Sequence, residues 1–273
     1  MTRSFAFAAS LLALVAAAPA IAADMTTYDA PAEAPVVESG TDLIIELGVG
    51  GRLQPEYEGA SDYEVSPFPI ISLGYLNIPG VLELGSTSPQ GGGLHIGPSF
   101  DYIGERDASD HDALEGLDDV DATYAAGVKL GYEWEYAEVY GAVRYAFGGA
   151  DGVMGEVGAN LIARPTAELQ LKAGPVVSFA SEDYMDTYFG VSAAESVSTG
   201  GRLGAYDPDG GFKSAGVAAS ARYEFRTDWF LNADASWTSM IGDAKDSPIV
   251  EAGDQDQYTF GLGISKRFNL DLF

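Results

Sequence analysis

Cysteine is absent from the 273 residues, and histidine occurs twice, as His95 and His111. Without thiols the chain holds no disulfide, so its stability must come from a closed hydrogen-bond network or a large core. Two histidines and no thiolate also leave no ligand set for a zinc centre. Basic residues are scarce: 14 Lys and Arg stand against 41 Asp and Glu, for a formal net charge of −27. Nucleic-acid binding depends on cations that neutralise phosphates, so this balance excludes it. Beyond the first two dozen residues no stretch is continuously apolar for the ~18 residues that a spanning helix requires. If the chain sits in a membrane, it does so through strands.

What is present begins with an export signal. Arg3 precedes an apolar run from Phe5 to Ala18, and Ala20-Ile21-Ala22 places small residues where signal peptidase cuts. The run is shorter than the ~20 residues of a membrane anchor. Residues 1–22 are therefore expected to be a cleaved signal peptide, which leaves 273 − 22 = 251 residues. Residues 23–41 are rich in Ala, Pro and Glu with no apolar period, the composition of a flexible periplasmic leader. A barrel is expected over 42–273.

From Leu43 onward, segments of about ten residues alternate apolar with polar or small residues between Gly, Pro, Asp and Ser clusters. In Ala122 to Trp134, Tyr124, Ala126, Val128, Leu130, Tyr132 and Trp134 share one face, while Thr123, Gly127, Lys129, Gly131 and Glu133 share the other. That is a period of two, not 3.6. Ala167 to Phe179, Val153 to Ala163 and Tyr258 to Phe268 repeat it. Such lengths exceed the soluble norm of ~5 to 6 residues and match a membrane crossing.

The expected fold is an all-β transmembrane antiparallel barrel of about twelve strands, with ten as the alternative. The expected starts are near Leu43, Pro67, Val81, Leu94, Ala122, Glu138, Val153, Ala167, Tyr188, Phe212, Trp229 and Tyr258, the third and ninth being the weakest. Twelve conflicts with the tight turns at Glu135-Tyr136, Arg164-Pro165-Thr166 and Arg226-Thr227-Asp228, which all read as periplasmic. Sharing one side requires residues 180–211 to add no net strand or a complete pair.

Tyr132, Trp134, Tyr136, Tyr145, Phe147, Trp229, Phe230 and Trp237 lie near strand ends, as the aromatic girdles of a membrane barrel do. A soluble sandwich or lipocalin-like barrel is the alternative. Against it, glycines such as Gly127, Gly131, Gly158, Gly174, Gly261 and Gly263 fall opposite the apolar face and give too little bulk for a dense core. That face also carries Glu46, Arg52, Lys129, Glu133, Arg144, Glu156, Arg164, Glu168, Lys172 and Arg222, which suits a lumen with lipid on the other side. Outer-membrane lipid, lipopolysaccharide and the barrel-insertion machinery are the partners such a chain meets.

No chemistry assembles from the motifs. The acidic loop from Glu105 to Asp121 lacks the spacing of a calcium loop and reads as solvated. His95 and Ser99 share a strand face, but four residues at ~3.3 Å each separate them by ~13 Å, too far for a base and nucleophile. Gly48-Val49-Gly50-Gly51 precedes no helix pattern and is not a nucleotide loop. No catalytic, cofactor or metal residue is assigned, and the chain is expected not to be an enzyme. One loop stands out: in Gly242 to Gln257, Asp243, Asp246 and Ser247 can bond nearby amides, and Pro248 fixes one φ. It is expected to be a structured recognition or lumen-folding element.

Several stretches resemble the MltA-interacting protein/OmpV-like family of outer-membrane proteins. They are Pro55-Glu56-Tyr57-Glu58-Gly59-Ala60-Ser61-Asp62, Pro67-Phe68-Pro69, Leu114-Glu115-Gly116-Leu117, Tyr188-Phe189-Gly190-Val191-Ser192 and Gly242-Asp243-Ala244-Lys245-Asp246-Ser247-Pro248-Ile249. Where relatives often show Gly-His-Asp-Gly, this chain has Gly149-Ala150-Asp151-Gly152, so no role of that histidine transfers. Past Arg267-Phe268 it continues to Phe273. The resemblance implies an outer-membrane protein. In some members it is a scaffold joining a murein-cleaving lytic transglycosylase to a murein synthase; in others it serves osmotic response or adhesion. A narrow small-solute channel is the alternative function.

Overall fold

The computed structural model describes residues 41–86 and 92–272. The expected signal peptide, almost all of the leader and Phe273 lie outside them. The strands are β1 (Leu43–Pro55), β2 (Tyr63–Ile78), β3 (Leu82–Gly85), β4 (Gly93–Ile103), β5 (Thr123–Glu133), β6 (Ala137–Gly148), β7 (Gly152–Ala163), β8 (Leu169–Ala180), β9 (Gly211–Arg226), β10 (Trp229–Met240) and β11 (Asp256–Leu270). Among the described residues four short α-helices interrupt them: α1 (Glu182–Phe189), α2 (Ala193–Ser198), α3 (Gly242–Lys245) and α4 (Pro248–Ala252).

The strands form one sheet in the order β3-β2-β1-β11-β10-β9-β8-β7-β6-β5-β4. Among the described residues every strand pairs its neighbours antiparallel, and the first and last long strands pair from Leu43↔Leu270 to Leu53↔Phe260. The sheet curls until its end strands approach, which makes a nearly closed barrel of eleven strands. In hydrocarbon each unpaired backbone group costs several kcal/mol, and the ladders running from β3 round to β4 pair the facing groups of neighbouring strands.

Eleven replaces the expected twelve. The strand expected at Tyr188 is helical, because residues 182–198 form α1 and α2. The strand expected near Val81 exists but has only four residues. Alternation along the sheet order gives β3 and β4 the same sense, so together they occupy one upward crossing and the eleven strands make ten alternations. The short turns at residues 79–81, 134–136, 164–168 and 227–228 then share one end with the start of β1 and the close of β11. The long loops 56–62, 104–122, 181–210 and 241–255 share the other with the short 149–151 connection. The parity conflict disappears once residues 180–211 add no strand.

The period-two pattern sorts the two faces of the wall. On β5, Tyr124, Val128, Leu130 and Tyr132 point outward and are exposed, while Thr123, Ala125 and Glu133 point inward and are buried. Val49 and Leu161, at 74% and 75% exposure, show that this wall is built for an apolar solvent rather than for water. One aromatic departs from the girdle expectation. Phe230 faces inward and is 1% exposed, with the Arg222 and Arg267 guanidinium groups 3.4 and 4.7 Å from its ring centre. Among the described residues no helix is long and apolar enough to cross a membrane.

Candidate functional site

The long loops fold into a cap over one end of the barrel, and the family-like stretches meet there. One buried cluster joins Tyr57 and Ala60 of the first loop to Leu114, Leu117, Val191, Leu203 and Ile249. A second joins Tyr184, Met185, Tyr188 and Phe189 of α1 to Ala244, Val250 and the inward ends of neighbouring strands. Helix α1 forms because its apolar residues recur at 184/188 and 185/189, which puts them on one stripe toward the barrel. Helix α2 starts at a capping box, with the Ser192 hydroxyl accepting from the Glu195 amide and Glu195 returning to the Ser192 amide.

Polar pins hold the loops in register. Gly59 takes φ +90°, donates its N–H to Gln257 Oε1 at 3.3 Å and accepts from the Asp254 amide at 2.9 Å. A Cβ there would stand 2.8 Å from Val250, so this approach of the first loop to α4 suits glycine alone. The Glu58 carboxylate accepts from the Tyr184 hydroxyl at 2.7 Å and pairs with Lys213. Arg106, 3% exposed, donates to the Tyr188 and Asp118 carbonyls at 3.2 and 3.4 Å. Arg202 donates to the Asp112 and Glu115 carbonyls at 2.5 and 2.6 Å. The sequence reading missed both arginines; for Arg106 a lone cation at the head of an acidic stretch was the available signal, and Arg202 offered none.

Burial pushes the Tyr57 hydroxyl up to about 12, against the opposing charge of Arg106. Burial also raises Tyr184 and Tyr188 and lowers Arg106. For Glu195 burial pushes upward, but hydrogen bonds from the Asp118 and Ser192 amides outweigh it and hold the carboxyl below its ordinary value.

The loop from Gly242 to Gln257 contributes α3 and α4. Ser247 is fully buried, donates to the Phe189 carbonyl at 2.7 Å and caps α4 through the Ile249 amide. Pro248 occupies the first position of α4, where its missing N–H costs nothing. Asp243 accepts from the Asp209 amide at 2.8 Å, and its carbonyl accepts from the Tyr206 hydroxyl at 2.9 Å. Asp246 is exposed at the end of α3, and Ser61 is exposed on the first loop. Gly190 closes α1, its N–H donating to the Asp186 carbonyl, and Val191 bridges to Tyr206.

Beneath the cap the lumen carries paired charges. Glu133 binds Arg164 at 2.7 Å and Lys172 at 2.5 Å; Lys172 also reaches Glu138 at 3.2 Å. Glu138 accepts from Asn160 and lies 3.2 Å from His95, so one network stitches β4 through β8. Across the lumen Arg222 holds Glu46 at 2.5 Å, and Ser265 donates to the same carboxylate. Lys129 lies 3.9 Å from the Tyr140 ring centre.

These contacts keep His95 and Ser99 apart: His95 faces Glu138, and the Ser99 hydroxyl accepts from Arg144 at 2.7 Å. In the acidic loop, Asp107 accepts from the Ser109 amide and Asp119 from the Ala108 amide, both at 2.9 Å. Among the described residues no His, Cys, Asp and Glu cluster is arranged to hold a metal ion.

Comparison with known proteins adds four findings. Residues 47–268 match the family described as MltA-interacting protein MipA. The chain is 29% identical over 155 residues to the MltA-interacting protein of Escherichia coli (strain K12), which covers 55% of this chain and 59% of that one. It is 28% identical over 171 residues to the protein named "Putative outer membrane protein YiaT" of the same strain, covering 60% and 65%. Each alignment thus spans less than two thirds of the relative. A NanC porin structure shares 9% identity over 81% of this chain and 98% of that one, at a TM-score of 0.38. An antiparallel barrel with a lipid-facing wall, matched by one family from its first strand to its last, makes this chain an outer-membrane protein that belongs to the MltA-interacting protein MipA family.

Proposed function

We propose that this chain is a non-enzymatic scaffold that offers the turn end of its barrel to a murein-cleaving lytic transglycosylase, and through it to a murein synthase. The observation that carries this is the folded cap. It closes the loop end with side chains that bind one another, which leaves the turn end as the surface available to a periplasmic protein. Short turns of such barrels face the periplasm. There Arg164 donates to the Glu135 carbonyl at 2.5 Å, tying the β5–β6 turn to the β7–β8 turn, with Tyr136 exposed in the first of these and Arg226 exposed at the end of β9. The name of the relative from Escherichia coli, an MltA-interacting protein, supports the partner class.

The test is retention of a murein-cleaving enzyme from periplasmic extract by the detergent-solubilised chain on beads. Replacing residues 134–136 and 164–168 by Gly and Ser is expected to abolish retention. A chain that holds no such enzyme ends the reading. A second reading, a narrow small-solute channel, draws on Ser72 and Ser220, which face the lumen and are nevertheless exposed, so water reaches it. Steady conductance steps in planar bilayers without enzyme retention would put the channel first.

A further inference from the structure

The wall has one seam. Among the described residues the sheet begins at β3 and ends at β4, with no ladder between them or between β4 and β2. β3 covers only Tyr75–Ile78 of β2, so toward the cap β2 and β4 face each other directly. Their Cα atoms come within 8 Å, and a Cβ on Gly97 would lie 4.0 Å from the Leu73 nitrogen.

Alternate residues of an antiparallel strand turn their N–H and C=O to opposite sides. The Glu56 amide donates to the Asp62 carbonyl, and from that bond the β1–β2 register aims Glu64, Ser66, Phe68 and Ile70 at β1. Val65, Pro67, Pro69 and Ile71 therefore aim at the seam. Counting likewise from the Trp134 amide, which donates to the Ala137 carbonyl, aims Leu94, Ile96, Pro98, Phe100 and Tyr102 away from β5 and at the same seam. The Tyr102 carbonyl agrees, since it accepts from the Gln54 side chain at 3.2 Å instead of from a ladder.

All three prolines within β2 and β4 thus place their backbone nitrogen where no ladder partner stands. Proline has no N–H, so Pro67, Pro69 and Pro98 keep the two edges from zipping into a full ladder. They equally deprive a foreign strand of donors, which argues against strand addition here. A hydrocarbon chain needs no donors. The outer flank offers it Val65, Ile71, Leu94 and Phe100, all exposed on the lipid side. The inner flank offers Phe68, packed over Gly50, and Ile70, packed over Gly263. Arg52 sits 4.7 Å from the Phe68 ring centre, 3.9 Å from Asp101 across the seam and 4.0 Å from Asp234, a cation that an anionic headgroup would share with these two carboxylates.

We propose that the β2–β4 seam is a lateral route by which the acyl chain of an anionic membrane amphiphile enters the lumen beneath the cap. The probe is phosphatidylglycerol with a diazirine on its acyl chain, mixed into vesicles that hold the full chain. After irradiation, adducts are expected on lumen-facing Phe68 or Ile70 as well as on outward Val128 and Leu130. Adducts on the outer wall alone would overturn the proposal. Restoring the N–H groups with Pro67→Ala, Pro69→Ala and Pro98→Ala together is expected to abolish lumen adducts while Val128 still labels. Undiminished lumen labelling in that variant would also overturn it. Should the triple variant fail to insert, Gly97→Trp, which sets a bulky side chain against the backbone at Leu73, serves in its place with the same two outcomes.

Discussion

The Ser247 hydroxyl donates to the Phe189 carbonyl at 2.7 Å, 58 positions back along the chain, and accepts from the Ile249 amide at 3.1 Å. One buried oxygen therefore closes α1 and opens α4. Ser247→Ala leaves a buried carbonyl unmatched, which costs about 1–3 kcal/mol. Amides of α1 and α4 should exchange with deuterium faster in this variant, with barrel strands unchanged. Unaltered exchange in both helices would show that the bond does not hold the cap.

Gly59→Ala should loosen the same region from the other side. Its φ of +90° strains any side chain, and the new methyl would stand 2.8 Å from Val250. The expected readout is protease cleavage within residues 56–62 of the folded protein, absent from wild type. Wild-type resistance in this variant sinks the prediction.

Glu133→Gln takes the closest carboxylate from two cations, Arg164 and Lys172, and leaves Lys172 with Glu138 at 3.2 Å. Removing one partner of a buried pair costs about 3–5 kcal/mol, and the part exposure of both cations places the loss at the low end. Unboiled samples on gels should convert to the unfolded mobility at a lower temperature than wild type. Adding Lys172→Met should recover part of that loss; a double variant as weak as the summed singles would mean that the groups are not coupled.

Alkali should open the cap before it opens the barrel. Tyr57 holds its proton to about 12 in the folded cap, against about 10 in an unfolded chain. Its contribution is complete below pH 10 and is lost as pH rises through 12, because the unfolded phenol releases its proton first. Burial puts Tyr184 and Tyr188 in the same position. Absorbance at the phenolate band should rise in this window together with protease sensitivity of residues 181–210. Tyr57→Phe should shift that sensitivity to higher pH, and an unmoved profile would remove Tyr57 from the account.

The wall was legible because lipid outside and water inside impose a period of two on each long strand. β5 and β11 follow the expected faces residue by residue. The cap was less legible. Tyr188-Phe189-Gly190-Val191 suggests a strand by composition, and burial against the other loops made it the end of a helix instead. The recurrence at 184/188 and 185/189 and the Ser192–Glu195 box were present in the sequence and outweigh that composition once read together. Phe230 had the opposite fault: its neighbours Trp229 and Leu231 face lipid, and strand parity alone places it inside with Arg222 and Arg267. For Asp243 and Ser247 the hydrogen-bonding capacity was readable, but not the partners, which come from loops distant in sequence.

Leu43 pairs with Leu270, so the first and last long strands stand side by side at the turn end. Fragments of a split reporter fused before Leu43 and after Leu270 would meet only when those strands zip together. Their signal would time the final stitch of membrane insertion in a living cell, with neither the cap nor the lumen touched.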